Sequence, residues 1–107
     1  MSEKLADNPE QTSDTVTIAH YPERKRFEAV IGDKTAVLEY MQVGKTFIFS
    51  HTEVPIGLEG IGIGGALAKF GLEYVRDNNL KASPLCPFVK AYIEKHPEYK
   101  TLVKLGG

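Results

Sequence analysis

Tryptophan is absent from this chain of 107 residues, and cysteine occurs once, at Cys86. A lone cysteine forms no internal disulfide, which sets aside disulfide-framework folds and fits a reducing, cytoplasmic compartment. No apolar run approaches the length of a membrane span, so no membrane role is expected. Neither sign of charge dominates: 13 Lys and Arg face 14 Asp and Glu, for a net charge of −1. No electrostatic footprint for nucleic acid follows from that balance. The short basic run Arg24-Lys25-Arg26 is flanked by Glu23 and Glu28 and reads as the solvated approach to a strand. Histidine, cysteine and carboxylates nowhere adopt metal-ligand spacing, so no metal is expected, and His20 stands alone. Residues 1–14 lack the apolar core of a signal peptide and are polar and rich in turn formers. They are expected to form a disordered tail ahead of a single domain over residues 15–107.

What is present is an ordinary globular composition, 42% hydrophobic and 25% charged. Residues 15–54 carry period-2 runs: Val16 and Ile18, then Phe27, Ala29 and Ile31, then Thr35 to Met41, then Thr46 to Val54. Gly32-Asp33 and Gly44-Lys45 join them, the pattern of an antiparallel meander. Pro55 and Gly57 end the last run. The period then changes: Ile63, Leu67, Phe70 and Tyr74 recur at helical spacing, with Lys69, Glu73 and Arg76 on the other face. Asp77-Asn78-Asn79 can stop that helix, and Leu80 to Pro84 offers a short strand. Phe88, Val89, Tyr92 and Ile93 suggest a second helix that ends near His96-Pro97, since proline disfavours helix in the residue before it.

The boundary between meander and helix is Glu59-Gly60-Ile61-Gly62-Ile63-Gly64-Gly65-Ala66-Leu67. Gly60-x-Gly62-x-x-Gly65 spells the dinucleotide fingerprint, but the context argues against that reading. The fingerprint belongs on the first strand of a parallel fold, with an acidic residue about 20 positions later. Here it follows a meander, and Lys81 to Leu85 holds no acid. The physics of the loop remains. Glycines let the main chain approach a ligand closely, and a helix starting there presents unpaired N–H groups and a positive dipole end. The combination suits a pyrophosphate. A plain strand-to-helix turn would need one glycine rather than several.

With the strand ending His51-Thr52-Glu53-Val54-Pro55, this loop resembles the acyl-CoA-binding segment of the GNAT N-acetyltransferase superfamily. Pro84-Leu85-Cys86-Pro87-Phe88-Val89, then Tyr92-Ile93 and His96-Pro97-Glu98-Tyr99, resemble its small, single-domain branch. The likeness spans residues 16–103. It implies an α+β fold of the acyl-CoA N-acyltransferase kind: a meander, then helix, strand and helix, in a mixed twisted sheet with helices packed on it. It implies acetyl-CoA as the acyl donor, with Gly60, Ile61, Gly62, Ile63, Gly64 and Gly65 around the pyrophosphate and the strand ending at Val54 paired with the pantetheine. It implies that Cys86 lies beside the thioester. Glu59 departs from the pattern, which places Arg or Gln there. At about 7 Å its repulsion of each ligand charge is roughly 0.6–2.4 kcal/mol. Three or four charge-assisted N–H contacts of about 1.5–3 kcal/mol each exceed that, provided Glu59 turns towards water.

The chemical residues each carry a plainer alternative. Cys86 precedes a helix, where a thiol can serve as nucleophile or proton donor, yet a lone cysteine is more often a small buried hydrophobe. His51 and Glu53 share one strand face and could deprotonate an amine, or simply form the polar side of a half-buried sheet. Tyr92 and His96 read as core and cap, and most of the C-terminal lysines as solvated. The expected function is acetyl transfer from acetyl-CoA to an amine, either a small molecule or a protein lysine, by direct attack or through acetyl-Cys86. The alternatives are a non-catalytic coenzyme A module and, more weakly, dinucleotide binding. Nothing specifies an oligomer, so a monomer is the default expectation. The acceptor is not legible.

Overall fold

The computed structural model describes residues 11–12, 16–60 and 62–104. Ile61, most of the expected tail and the last three residues lie outside the described residues. Among the described residues six strands form one sheet in sequence order: β1 (Gln11–Thr12), β2 (Thr17–Tyr21), β3 (Arg26–Ile31), β4 (Lys34–Val43), β5 (Thr46–Glu53) and β6 (Lys81–Pro84). The first five are antiparallel neighbours, and β6 joins β5 in parallel after a helical crossover. The sheet is therefore mixed, as the order of strand and helix patterns requires. Gln11–Thr12, inside the segment expected as a tail, pair with β2.

Helix α1 (Ile63–Asp77) and helix α2 (Pro87–Lys95) follow the periodicity closely, and a 3₁₀ turn covers Pro97–Leu102. The buried stripe of α1 is rotated from the one the aromatic spacing suggests. It runs through Ile63, Gly64, Leu67, Ala68, Gly71, Leu72 and Val75, while Phe70 and Tyr74 sit half-buried at its edge. Gly71 marks the closest approach. A Cβ there would stand 3.1 Å from Leu38 Cδ2 and 3.2 Å from Phe49 Cε1, so the helix axis rests directly on the sheet. The core between them holds Phe27, Leu38, Phe49, Leu67 and Leu72, all nearly or fully buried. His20 is the polar member of this layer. Its ring stacks on Phe27 at 4.3 Å between centroids, and its Nε2 lies 2.6 Å from the Tyr40 hydroxyl. The basic run resolves into a short 3₁₀ helix and the start of β3, where Arg24 and Arg26 both reach the largely buried carboxylate of Glu28.

One irregularity positions the site. Along β4 and β5, Glu39 pairs with His51 and Tyr40 with Phe49, so Ser50 is an extra residue on β5. A bulge of this kind reverses which face the following residues occupy. Phe47 and Phe49 point into the core; beyond the bulge Thr52 and Val54 do so, and His51 and Glu53 turn outward. The same point ends the parallel pairing, whose last partners are Phe49 and Pro84. The chain after β6 leaves through Leu85, and Cys86 N–H donates to Phe49 O at 2.9 Å. Beyond Phe49, β5 keeps β4 on one side and has no strand on the other among the described residues.

The C-terminal turn is tied to α1. Tyr99 is buried, and its hydroxyl donates to Glu73 Oε2 at 2.8 Å. Burial first, then the bond to Glu73, raises the Tyr99 pKa well above the ordinary phenol value. The folded state therefore holds this proton more tightly than the unfolded chain. The resulting stability is complete below the unfolded pKa of about 10 and is lost as pH rises beyond it. Alkaline denaturation, followed by circular dichroism, is expected to show stability falling from about pH 10 upward. Tyr99→Phe should flatten that fall. An identical alkaline limb in the variant would contradict the assignment.

Candidate active site

Pro55 and Gly57 turn the chain out of β5, with Leu58 N–H bonded to Pro55 O at 3.0 Å and Gly57 at φ +96°. The loop then reaches α1 through Gly60 at φ +85° and Gly62 at φ +87°, values that L side chains rarely adopt. Chain neighbours aside, a Cβ on either would meet no described atom within 4 Å. Gly62 is the N-cap of α1, with no side-chain cap and no acidic residue in the first turn. Ala66 N–H bonds Gly62 O at 2.9 Å, and the N–H groups of Ile63, Gly64 and Gly65 before it have no helical acceptor among the described residues. Their partial positive charge, reinforced by the helix dipole, is the electrostatic character of this end.

The two other loop glycines do different work. Gly64 lies under Phe88: a Cβ would come within 2.6 Å of Phe88 Cζ. Its smallness serves the contact between α1 and α2, the packing role the sequence also allowed. Gly65 has Tyr92 Cε1 at 3.6 Å from its would-be Cβ, ordinary contact.

A cavity of about 480 Å³ opens in front of this helix end. Thr52 and Val54 from β5 form one wall, the loop from Leu58 through Gly60 and the first turn of α1 the other, and Phe88 of α2 closes the side. Val54, Gly60, Gly62, Ile63, Gly64 and Gly65 thus come together as the sequence suggested. Ile61 lies outside the described residues. Glu59 is at the rim and exposed, so its carboxylate is free to face water.

Cys86 is the N-cap of α2, followed by Pro87 at the first helical position. Cys86 is buried and does not line the cavity; its Sγ lies 3.1 Å from the hydroxyl of Thr52, a residue that does. His51 and Glu53 stand 3.6 Å apart on the opposite face of β5, with side chains 56% and 71% exposed. They are brought together with each other and not with the cavity wall. Tyr92 stacks on His96 with centroids 4.1 Å apart, and neither lines the cavity. Burial, then the charges of Glu98 and Glu73, raise the Tyr92 pKa, so its hydroxyl stays protonated near neutrality. Among the described residues no group of His, Cys, Asp or Glu could hold a metal ion, and no helix is long and apolar enough to cross a membrane.

Sequence reasoning missed Thr52 and Phe88. Thr52 was assigned to the face away from the His51–Glu53 pair, and only the bulge makes that the cavity side. Phe88 looked like core from its helical spacing, yet it is 43% exposed and walls the cavity.

Comparison with known proteins agrees with this geometry. The model of the GCN5-related N-acetyltransferase family matches residues 26–102, from the start of β3 to the C-terminal 3₁₀ turn. The chain belongs to the GCN5-related N-acetyltransferase family. Among curated relatives, Protein NATD1 of Xenopus tropicalis is 32% identical over 108 residues, covering 98% of each chain. Protein NATD1 of Homo sapiens is 33% identical over 93 residues, covering 84% of this chain and 82% of its own length. The solution NMR structure of a GCN5-like protein from Staphylococcus aureus superposes with a TM-score of 0.61 at 27% identity, covering 94% of this chain and 91% of its own. The α+β fold is therefore that of the acyltransferase family.

Proposed function

We propose that this protein transfers an acetyl group from acetyl-CoA to an amine. One observation supports the reading: the first turn of α1 at Ile63, Gly64 and Gly65 and the β5 residues Thr52 and Val54, which have no strand on their outer side among the described residues, line one cavity. An anion at the helix end and an extended amide chain along β5 are the two halves of coenzyme A. Gly60 and Gly62 fit the group, since neither carries a side chain to keep its own main chain from phosphate oxygens. Gly60 and Gly62 to Gly65 would hold the pyrophosphate, and the main chain ending at Val54 would pair with the pantetheine amides. Bound acetyl-CoA supplies an activated acetyl carbonyl; the chain's residues position it and manage protons.

His51 and Glu53 lie on the outward face of β5, beside the edge that β6 leaves open. An ammonium arriving on that face meets Glu53 as counter-ion, and His51 or Glu53 takes its proton, directly or through water. The N–H near Val54 would donate to the oxyanion formed on attack. Direct attack suits the site better than an acetyl-Cys86 intermediate, because Cys86 is buried and is not among the residues lining the cavity.

That same separation of Cys86, His51 and Glu53 from the cavity wall favours one second reading, a coenzyme A-binding module without turnover. The two part in an acetylation assay across small amines, peptides and proteins. Turnover on any acceptor refutes the module. An NMR titration with acetyl-CoA, and with NAD as control, should shift Gly60, Gly62 to Gly65 and Cys86 for acetyl-CoA alone; shifts elsewhere would refute the site. Cys86→Ala is expected to lower turnover while leaving acetyl-CoA affinity within about twofold. Full turnover in that variant would remove Cys86 from the mechanism.

A further inference from the structure

Thr52 carries an inference that rests on the acetyl-transfer reading and goes beyond it. Thr52 is the polar residue that β5 contributes to the cavity lining, and its hydroxyl is the contact of the buried Cys86 thiol, Oγ1 to Sγ 3.1 Å. Three features hold this pair in place. The Ser50 bulge turns Thr52 inward; without it, the parity of Phe47 and Phe49 would carry His51 to this position. Cys86 N–H is bonded to Phe49 O at 2.9 Å, and Cys86 O accepts from Lys90 N–H at 3.1 Å, so the thiol is fixed at both flanks of its own residue. Pro87 sets the backbone of the first turn of α2 behind it.

We infer that Thr52 is a catalytic residue that passes the Cys86 proton to the departing coenzyme A sulfur. When the amine has attacked and the C–S bond breaks, the electron pair stays on the leaving sulfur. Thr52 Oγ1 gives its hydroxyl proton to that sulfur and takes the Cys86 Sγ proton in return. One O–H and one S–H bond break, and one S–H and one O–H form. Cys86 remains as thiolate and recovers its proton from the one the amine surrendered through solvent. The exchange moves one proton from a protein thiol to the leaving thiolate and leaves the net charge of the site unchanged. The bulge, which no strand pattern requires, thereby acquires a purpose: it re-aims a hydroxyl at the reacting bond.

The test uses the full chain with acetyl-CoA and whichever of spermidine, benzylamine or a lysine-bearing peptide gives the fastest wild-type turnover. Thr52→Val keeps the side-chain shape and removes the hydroxyl; Thr52→Ser keeps the hydroxyl. Thr52→Val should lower kcat at least tenfold with KM for acetyl-CoA within twofold, and Thr52→Ser should retain at least half of wild-type kcat. In the Cys86→Ala background Thr52→Val should have less than a twofold further effect, since the relay is already broken. A Thr52→Val enzyme with wild-type kcat, or one whose loss is undiminished in the Cys86→Ala background, overturns the relay alone. Absence of wild-type turnover with all three amines, despite acetyl-CoA binding by calorimetry, overturns the parent reading and the relay with it. Circular dichroism of each variant separates a folding defect, and if Thr52→Val does not fold, Thr52→Ala is put through the same cycle.

Discussion

Phe27→Ala is expected to destabilise the domain by about 3–5 kcal/mol, the range for removing a large buried aromatic ring. The ring, from the second residue of β3, is fully buried. It stacks on His20 at 4.3 Å and meets Phe70 and Tyr74 edge-on, both at 5.8 Å. Its Cε2 also lies 3.4 Å from where a Cβ on Gly71 would stand, so it floors the point at which α1 rests on the sheet. Helix and sheet cannot close on the space it leaves, because Leu38 and Phe49 already touch that point from the other side. Against the total of about 5–15 kcal/mol for a domain of this kind, the loss is a large fraction. It corresponds to a fall in Tm on the order of 12–40 °C. Urea denaturation followed by far-ultraviolet circular dichroism is the measurement, since the chain has no tryptophan to report. Met41→Ala, at a half-exposed site, should change stability by no more than about 0.5 kcal/mol. A Phe27→Ala loss below about 1 kcal/mol would mean that the aromatic layer does not hold the helix on the sheet.

Much of this architecture is legible because its causes are local. The runs around Phe27–Ile31 and Thr35–Met41 alternate, and Gly32 and Gly44 take the positive φ that tight turns demand. Pro87 and Pro97 bracket α2 as proline's fixed φ and missing donor require. What was not legible depends on partners distant in the chain. Nothing in Phe49-Ser50-His51 announces an extra residue, because a bulge is defined by mismatch with Glu39 and Tyr40 across the strand. Period-2 reasoning correctly separates His51 and Glu53 from Thr52 and Val54, but it cannot say which pair faces the helices. The glycines of α1 were equally opaque one by one. Gly64 exists for Phe88 and Gly71 for Leu38, Phe49 and Phe27, contacts that only the folded chain brings about. Leu72, fully buried, completes a helical stripe whose centre the aromatics at Phe70 and Tyr74 had displaced in the sequence reading.

Gly62→Val should separate binding from stability in the opposite sense to Phe27→Ala. Gly62 sits at φ +87° and ψ 7°, where a β-branched residue costs on the order of 1–3 kcal/mol. Chain neighbours aside, no described atom lies within 4 Å of the added Cβ, so the cost is conformational rather than steric, and the exposed loop can shed part of it by moving. Any such movement turns the N–H groups of Ile63, Gly64 and Gly65 away from their common direction. Charge-assisted contacts of this type contribute about 1.5–3 kcal/mol each, so loss of one or two raises the Kd for acetyl-CoA by roughly 10-fold to more than 1,000-fold. The valine methyls would also keep the main chain of this residue from the phosphates. Glu59 adds to the effect, because its repulsion is offset only while the helix end is properly presented. Calorimetric titration with acetyl-CoA should therefore show weakening of tenfold or more, with a Tm change far smaller than that of Phe27→Ala. Gly62→Ala should fall between wild type and Gly62→Val, having the same backbone demand as valine and less bulk. Wild-type affinity in Gly62→Val would mean that the ligand's anion does not sit at this helix end, and the pyrophosphate assignment of the loop would fall with it.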